Sequence, residues 1–153
     1  MKTKLILLLI VLLGTSVESQ SQEVPTLSYY EVGSKTDDLP NTTYQVMLLP
    51  DVFGKVAFKT DDDGIIILRR CSFEVKNETI ANLVLESLNE KYDVVLKATD
   101  TINGIIFYQD EGTRYKVTVK IDPSNYTVFF EVIDGNGMRR KKEQLKTILL
   151  KNI

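Results

Sequence analysis

The strongest constraint on the fold is an alternating run near the C-terminus. Across residues 113–121, apolar and polar side chains alternate from Arg114 onward without interruption. The apolar set is Tyr115, Val117, Val119 and Ile121, and the polar set is Arg114, Lys116, Thr118 and Lys120. Because successive side chains of a strand point to opposite faces, the run predicts an antiparallel strand with one face in the core and one in water.

Turn-forming residues divide the neighbouring chain into further strands. Asn103-Gly104 predicts a tight hairpin, because both positions favour positive φ. Asp-Glu-Gly at 110–112 and Asp-Pro-Ser-Asn at 122–125 predict two more turns. Residues 92–133 are therefore expected to form a four-stranded meander.

The turn at 122–125 also predicts a register for the last two strands. With four loop residues, Ile121 is expected to pair with Tyr126. The outer face of these strands then carries the charge pair of Lys116 and Glu131. It also carries two apolar side chains, Phe129 and Ile133. Large apolar side chains on an outer face predict that another element covers them.

The first half of the chain predicts strands followed by one helix. Residues 43–50 and 51–59 are strand candidates, and a hairpin over 61–64 leads into a strand that ends near Val75. A helical period follows, which predicts a helix over about 78–91, capped by Asn77. The apolar stripe expected to face the sheet is formed by Ile80, Leu83, Val84 and Leu88.

The order of these elements predicts an α+β protein. We expect a curved antiparallel sheet of about six to seven strands, ending in the four-stranded meander, with one central helix and a C-terminal amphipathic helix. In element order alone, this arrangement is similar to cystatin-like and nuclear-transport-factor-like rolls. The motifs by which cystatins hold proteases are not recognisable in this chain, so no residue roles follow from the similarity.

The C-terminal segment predicts an amphipathic helix over about 138–152. Its apolar stripe would be formed by Met138, Leu145, Ile148 and Leu149, and its basic run by Arg139, Arg140, Lys141 and Lys142. One hypothesis is that this helix packs on the sheet and covers Phe129 and Ile133. The other is that it is a detachable element that contacts an anionic membrane or an acidic partner.

The N-terminus predicts export. Lys2 and Lys4 precede an apolar run at 5–13, which at nine residues is far shorter than the roughly 20 needed to cross a bilayer. The pattern is typical of a cleaved secretory signal over 1–19, with cleavage after Ser16 as the alternative. We therefore expect a periplasmic or extracellular protein.

The remaining chain is expected to form one domain. Residues 20–41 are polar and contain two prolines, which favours a flexible, loosely packed lead-in. Residues 42–153 would then form a single α+β domain of ordinary size.

Composition excludes several classes of chemistry. The chain has no His and one Cys, so it cannot form a Ser-His-Asp triad, a Cys-His pair or a His-bearing zinc site. Gly-rich phosphate motifs are also missing. We therefore predict no cofactor and no metal, name no catalytic residue, and favour a protein that is not an enzyme. The acidic cluster at 61–63 is interpreted as a hairpin tip, since its spacing does not fit an EF-hand calcium loop; the alternative is a loose surface calcium site.

Charge is unevenly distributed along the chain. Residues 20–133 carry 11 Lys and Arg against 18 Asp and Glu, whereas residues 134–153 carry 6 against 2. An acidic body argues against nucleic acid as a partner. The C-terminal segment is the cationic part.

The single cysteine has two interpretations. Cys71, Phe73 and Val75 occupy alternate positions of a predicted strand, so their side chains point to the same face. This predicts a buried thiol among apolar side chains. The alternative is an intermolecular disulfide or a reactive thiol.

Three functional hypotheses follow. The first is an exported, non-catalytic binding domain for an unknown protein or envelope component, with a patch formed by Tyr108, Arg114, Lys116, Lys120 and Phe129. The second is peripheral contact with an anionic membrane through the basic C-terminal helix. The third is a glycan hydrolase that uses two carboxylates.

Overall fold

The computed structural model describes residues 23–111 and 114–153, and in this part of the chain it confirms the α+β class. Seven strands form one antiparallel sheet in the order β1-β2-β3-β7-β6-β5-β4. The strands are β1 (Thr43–Leu49), β2 (Val52–Thr60), β3 (Ile66–Glu74), β4 (Lys97–Ile102), β5 (Ile105–Glu111), β6 (Tyr115–Asp122) and β7 (Thr127–Asp134). Helix α1 (Glu78–Tyr92) follows β3, helix α2 (Gly135–Asn152) follows β7, and a 3-10 helix (Leu27–Tyr30) precedes β1.

The pairing of β3 with β7 joins the two halves of the sheet. It runs from Leu68 opposite Ile133 to Glu74 opposite Thr127. Helix α1 carries the chain from β3, in the middle of the sheet, to β4 at the far edge. The chain then returns strand by strand through the predicted meander.

The predicted register between β6 and β7 is wrong by two residues. Ile121 pairs with Val128 and not with Tyr126, because the loop consists of residues 123–126 and Tyr126 takes a left-handed conformation (φ 52°). An even shift leaves every side chain on its predicted face. The partners change: Lys116 faces Ile133, Lys120 faces Phe129, and Thr118 faces Glu131.

Helix α1 begins and ends at recognisable caps. The Asn77 side chain accepts a hydrogen bond from the Ile80 amide at 2.9 Å, and Asp93 ends the helix in a left-handed conformation. The buried side of the helix is formed by Ala81, Val84, Leu88 and Tyr92. Leu83, which was expected to face the sheet, is 51% exposed because it lies at the edge of the stripe.

The lead-in is packed on the sheet, contrary to our expectation of a loosely packed segment. In its described part, 23–41, Leu27, Tyr30 and Val32 belong to the core. Tyr30 stacks on Tyr44 and Phe58, with ring centroids 5.3 Å and 5.2 Å away. These aromatic side chains bury enough area to order a segment that is polar on average. The predicted signal, 1–19, lies outside the described residues.

Helix α2 packs against one end of the sheet through its first turns, and the hypothesis that it covers Phe129 is wrong. The helix starts at residue 135, three residues earlier than predicted, and Asp134, the last residue of β7, is its N-cap. The helix therefore continues directly from β7 at the end of the sheet. Phe129 is 44% exposed, and Ile133 is half-buried.

The first turns of α2 are fixed at one end of the sheet. Gly137 lies against Ile67, the Lys141 ammonium donates to the Thr60 carbonyl at 2.7 Å, and Arg140 lies 3.5 Å from the Asp61 carboxylate. Beyond these contacts the apolar side chains are largely in solvent. Leu145, Ile148 and Leu149 are 48% to 60% exposed.

Gly54 offers a test of sheet packing. A side chain there would overlap the Ser72 carbonyl oxygen and the Phe73 ring, which is buried over the glycine. We expect Gly54→Val to lower the free energy of unfolding by about 1–3 kcal/mol through overpacking, measured by urea denaturation. Ala57→Val, on the outer face of the same strand, is the control and should change it by less than about 0.5 kcal/mol. Equal effects of the two variants would contradict the packing described for Gly54.

Candidate functional site

The outer face of the sheet is open at its centre. In an antiparallel sheet, directly opposite residues point to the same side. A row of such residues crosses four strands on the side away from α1: Ser72, Phe129, Lys120 and Phe107. No described helix lies over this row, and Phe129 is 44% exposed within it.

Lys120 lies between two phenylalanines in this row. It is opposite Phe129 on one side and Phe107 on the other, and its ammonium is 5.3 Å from the centre of the Phe107 ring. This distance fits a cation–π contact. No carboxylate of a described residue forms a salt bridge with Lys120, so its charge is available to a ligand.

A cavity of about 470 Å³ lies beside Lys120 and Phe129, and we call it the Phe129 concavity. The side chains that line it on the outer face are Arg70, Ile105, Thr118, Lys120, Phe129 and Glu131. Arg70 forms a salt bridge with Glu131 across β3 and β7. The concavity therefore combines an apolar floor, a neutralised ion pair and one cation, Lys120, that forms no salt bridge with the described residues.

The structure brings together three of the five residues predicted for the patch. Lys116, Lys120 and Phe129 lie on the open face. Tyr108 pairs with Val119 and packs against the core on the other side of the sheet. Arg114 lies at the sheet end, stacked 4.8 Å from the Tyr115 ring centre and 3.7 Å from the Asp134 carboxylate.

Sequence reasoning missed Arg70 and Phe107 in this site. Phe107 could have been found, because the Asn103-Gly104 hairpin and the next turn fix the face of β5. Arg70 could not, because its position depends on the pairing of β3 with β7, which no turn in the sequence indicates. Tyr108 lies apart from the other patch residues because it is opposite the core residue Val119, and directly opposite residues point to the same side of the sheet.

A second cavity, of about 420 Å³, lies on the other side of the sheet between α1 and β1. We call it the α1–β1 cavity. Its lining is mainly apolar and includes Leu27, Met47, Leu49, Leu83, Leu88 and Phe130. Arg69 and Lys91 are its charged lining residues.

Arg69 is buried at this cavity and ties three parts of the fold together. It is 2% exposed and donates to the Tyr30 carbonyl at 3.3 Å and to the Tyr92 hydroxyl at 2.6 Å. Tyr92 in turn donates to Glu31 at 2.6 Å, and Glu31 lies 3.5 Å from Arg69 and 2.5 Å from Lys91. The cluster joins the lead-in, the sheet and the end of α1.

The cluster shifts the pKa values of its members. Burial favours a raised pKa for the Glu31 carboxyl, but Arg69, Lys91 and Tyr92 outweigh it, so the pKa is below the ordinary value of 4.5. Burial raises the pKa of the Tyr92 hydroxyl, with Arg69 opposing and Glu31 adding to the rise. Glu31 is therefore ionised and Tyr92 protonated at neutral pH.

Cys71 is a buried free thiol, as its parity predicted. Burial raises the pKa of this thiol to about 12, with Arg69 opposing. A thiol that is protonated and inaccessible at neutral pH is a poor nucleophile. The structure therefore supports the packing role and not the reactive one.

The acidic cluster at 61–63 forms the predicted hairpin tip, although Asp61 itself is buried. Its carboxylate accepts from the amides of Asp63 and Ile65 at 3.1 Å and 3.0 Å. Within 23–111 and 114–153, no group of three or more acidic or Cys side chains is placed to bind a metal.

A separate surface cavity of about 520 Å³ contains two carboxylates. Glu23 and Asp38 line it together with Tyr29, Tyr30 and Tyr44. Asp38 accepts a hydrogen bond from the Tyr30 hydroxyl at 2.8 Å, which gives it a structural role. The carboxylate hydrolase stays a prediction.

Comparisons with known proteins give no match: no family model, no curated protein and no solved structure is significantly similar to the chain. Within the described residues, no helix has both the length and the apolar character required to span a bilayer.

The Arg69 cluster predicts a specific acid dependence. Because the pKa of Glu31 is lowered on folding, its contribution to stability is complete above about pH 4.5 and is lost as the pH falls through the lowered value. We expect Glu31→Gln to lower the free energy of unfolding by about 1–3 kcal/mol at pH 7. Below pH 4 the free energies of unfolding of Glu31→Gln and the wild type should become more similar. Urea denaturation at a series of pH values measures this.

Glu86→Gln, on the exposed side of α1, is the matched control and should change stability by less than about 0.5 kcal/mol at pH 7. A wild-type-like Glu31→Gln variant at neutral pH would contradict the role given to the cluster.

Proposed function

We propose that this chain is an exported, non-catalytic binding domain that holds an acidic protein segment bearing an apolar side chain in the Phe129 concavity. The observation that carries the proposal is Lys120 flanked by Phe129 and Phe107 on an uncovered sheet face. The partner is a protein or another envelope component with this chemistry.

The apolar part of the proposal rests on exposure. One solvated face of an antiparallel sheet normally carries polar side chains. Here Phe129 is 44% exposed, Ile105 lines the same concavity, and Phe107 lies two strands away on the other side of Lys120. An apolar partner side chain that covers Phe129 would remove this surface from water, which is favourable.

The electrostatic part rests on Lys120. Arg70 is neutralised by Glu131, whereas Lys120 contacts a ring and forms no salt bridge with the described residues. A partner carboxylate placed above Lys120 would be next to two apolar rings, where a charge pair is screened less than at an open surface. The acidic body of the chain disfavours nucleic acid as the anionic partner.

Export is part of the same proposal. The basic start and the short apolar run at 5–13 support a cleaved leader, and the single buried Cys is compatible with an extracytoplasmic compartment. The intact mass of the protein purified from its native source tests this step: loss of residues 1–19 or 1–16 is expected, and a retained leader would contradict it.

The binding proposal is tested by matched variants of the open face. Partners captured from the extracytoplasmic fraction are compared for the wild type, Phe129→Ala and Lys120→Glu, and the affinity for the captured partner is then measured. We expect each variant to weaken binding about tenfold or more, as for central interface residues.

Phe53→Ala and Lys59→Glu are the controls for this experiment. Phe53 is 45% exposed, nearly the same as Phe129, and both control residues lie on β2, away from the concavity. Partner binding that is equally affected by the control pair and the test pair would contradict a site at the Phe129 concavity.

A second candidate function is supported by α2. Residues 135–152 carry six basic residues and one acidic residue. Met138, Leu145 and Leu149 form a stripe on one side of the helix and are 43% to 60% exposed. A basic helix with an unpartnered apolar stripe is typical of elements that lie in an anionic membrane interface.

Vesicle sedimentation tests this second function. We expect the full chain to bind vesicles that contain phosphatidylglycerol but not vesicles of phosphatidylcholine alone, and we expect Leu145→Glu/Leu149→Glu to lose binding. Thr147→Glu/Leu150→Glu introduces the same charge on the other side of the helix and should retain more of it. Equal loss in both double variants would indicate a charge effect alone and contradict insertion of the stripe.

A further inference from the structure

We propose that the α1–β1 cavity binds a small monoanionic amphiphile, with its apolar chain between α1 and β1 and its carboxylate at Arg69. This site lies on the opposite side of the sheet from the Phe129 concavity. It therefore does not rest on the binding function proposed above.

The cavity has the size and lining of a small-molecule site. Its volume of about 420 Å³ lies within the roughly 300–1,000 Å³ of typical ligand pockets, which are mostly apolar with a few fixed polar groups. At its rim, Leu83 and Leu49 are 51% and 44% exposed. Leu83 faces this cavity although its helical stripe was expected to be buried, so α1 presents an apolar side chain to the opening.

The charge of the lining selects an anion. Arg69 and Lys91 are the charged residues of the lining, and no carboxylate is among the residues that line the cavity. Glu31 pairs with both cations from outside the lining. The cluster therefore has two cations for one carboxylate, and a ligand carboxylate would balance it.

Arg69 offers a specific hydrogen-bond donor. Its side chain is 3% exposed and its two terminal nitrogens have acceptors, but its Nε has no hydrogen-bond partner among the described residues. A buried donor without an acceptor is unfavourable, and an oxygen at this position relieves the cost. Because the donor is buried at an apolar cavity, a thin chain with a terminal carboxylate can reach it, whereas a folded partner surface cannot.

The experiment uses the full chain and dodecanoate below its micelle concentration, with dodecanol as the neutral ligand of equal chain length. Binding is followed by isothermal titration and by amide chemical shifts. We expect saturable one-to-one binding of dodecanoate, at least tenfold tighter than dodecanol, with shifts concentrated in α1 and β1. Shifts confined to α2 or to the open face, or equal affinity for the two ligands, would overturn the proposal.

Two variants separate the apolar and the anionic parts of the site. Leu83→Glu places a charge at the rim and should weaken dodecanoate binding at least tenfold, and the control Leu39→Glu, at an exposed leucine of the lead-in outside the cavity lining, should not. Lys91→Gln should reduce the preference for dodecanoate over dodecanol. Because Leu83 and Lys91 are about half exposed, both variants are expected to fold, and unchanged binding in Leu83→Glu would overturn the proposal.

Discussion

A buried guanidinium holds the parts of this fold in place. Arg69 lies on β3, yet its partners belong to the lead-in and to the end of α1. A charge placed in the interior is tolerated only when its hydrogen bonds and counter-ion are supplied there. The lead-in must therefore bring Glu31 and the Tyr30 carbonyl to β3, and α1 must end with Tyr92 above them. The packing of Leu27 and Tyr30 and the α1–β1 cavity both follow from that arrangement.

Two consecutive arginines divide the molecule into its two surfaces. Arg69 points to the side of α1 and is buried, whereas Arg70 points to the open face and pairs with Glu131. Strand geometry alone separates them, since neighbours on a strand face opposite ways. The two candidate sites thus lie on opposite sides of the same two strands, β3 and β7. Changes in one site can be tested without altering the other.

Local patterns in the sequence were sufficient for the elements of the fold. The alternation around Val117 and Val119, the Asn103-Gly104 turn and the Asn77 cap each act over a few residues, and each appears in the structure. The same parity placed Cys71 in the core and Phe129 on the outer face. These features depend on strand and helix periods, which the sequence displays directly.

Features that depend on distant partners could not be predicted. The pairing of β3 with β7 brings together segments about sixty residues apart, and it alone places Arg70 beside Glu131. The two-residue error in register came from Tyr126, which extends the loop by adopting a conformation unusual for a non-glycine residue. The packing of the lead-in could not be predicted, because the average polarity of the segment hides the few aromatic side chains that pack. Tyr108 lies on the other face because it pairs with the core residue Val119 and points to the same side of the sheet.

The absence of a loop between β7 and α2 has a mechanical consequence. Asp134 is both the last residue of a central strand and the first cap of the helix, and the first turns of α2 are fixed to the β2–β3 hairpin. Because the helix continues from β7 without a loop, the end of the sheet sets the orientation of the exposed distal half of α2. A force applied to that half, by whatever it contacts, would be transmitted to the strand that joins the two halves of the molecule.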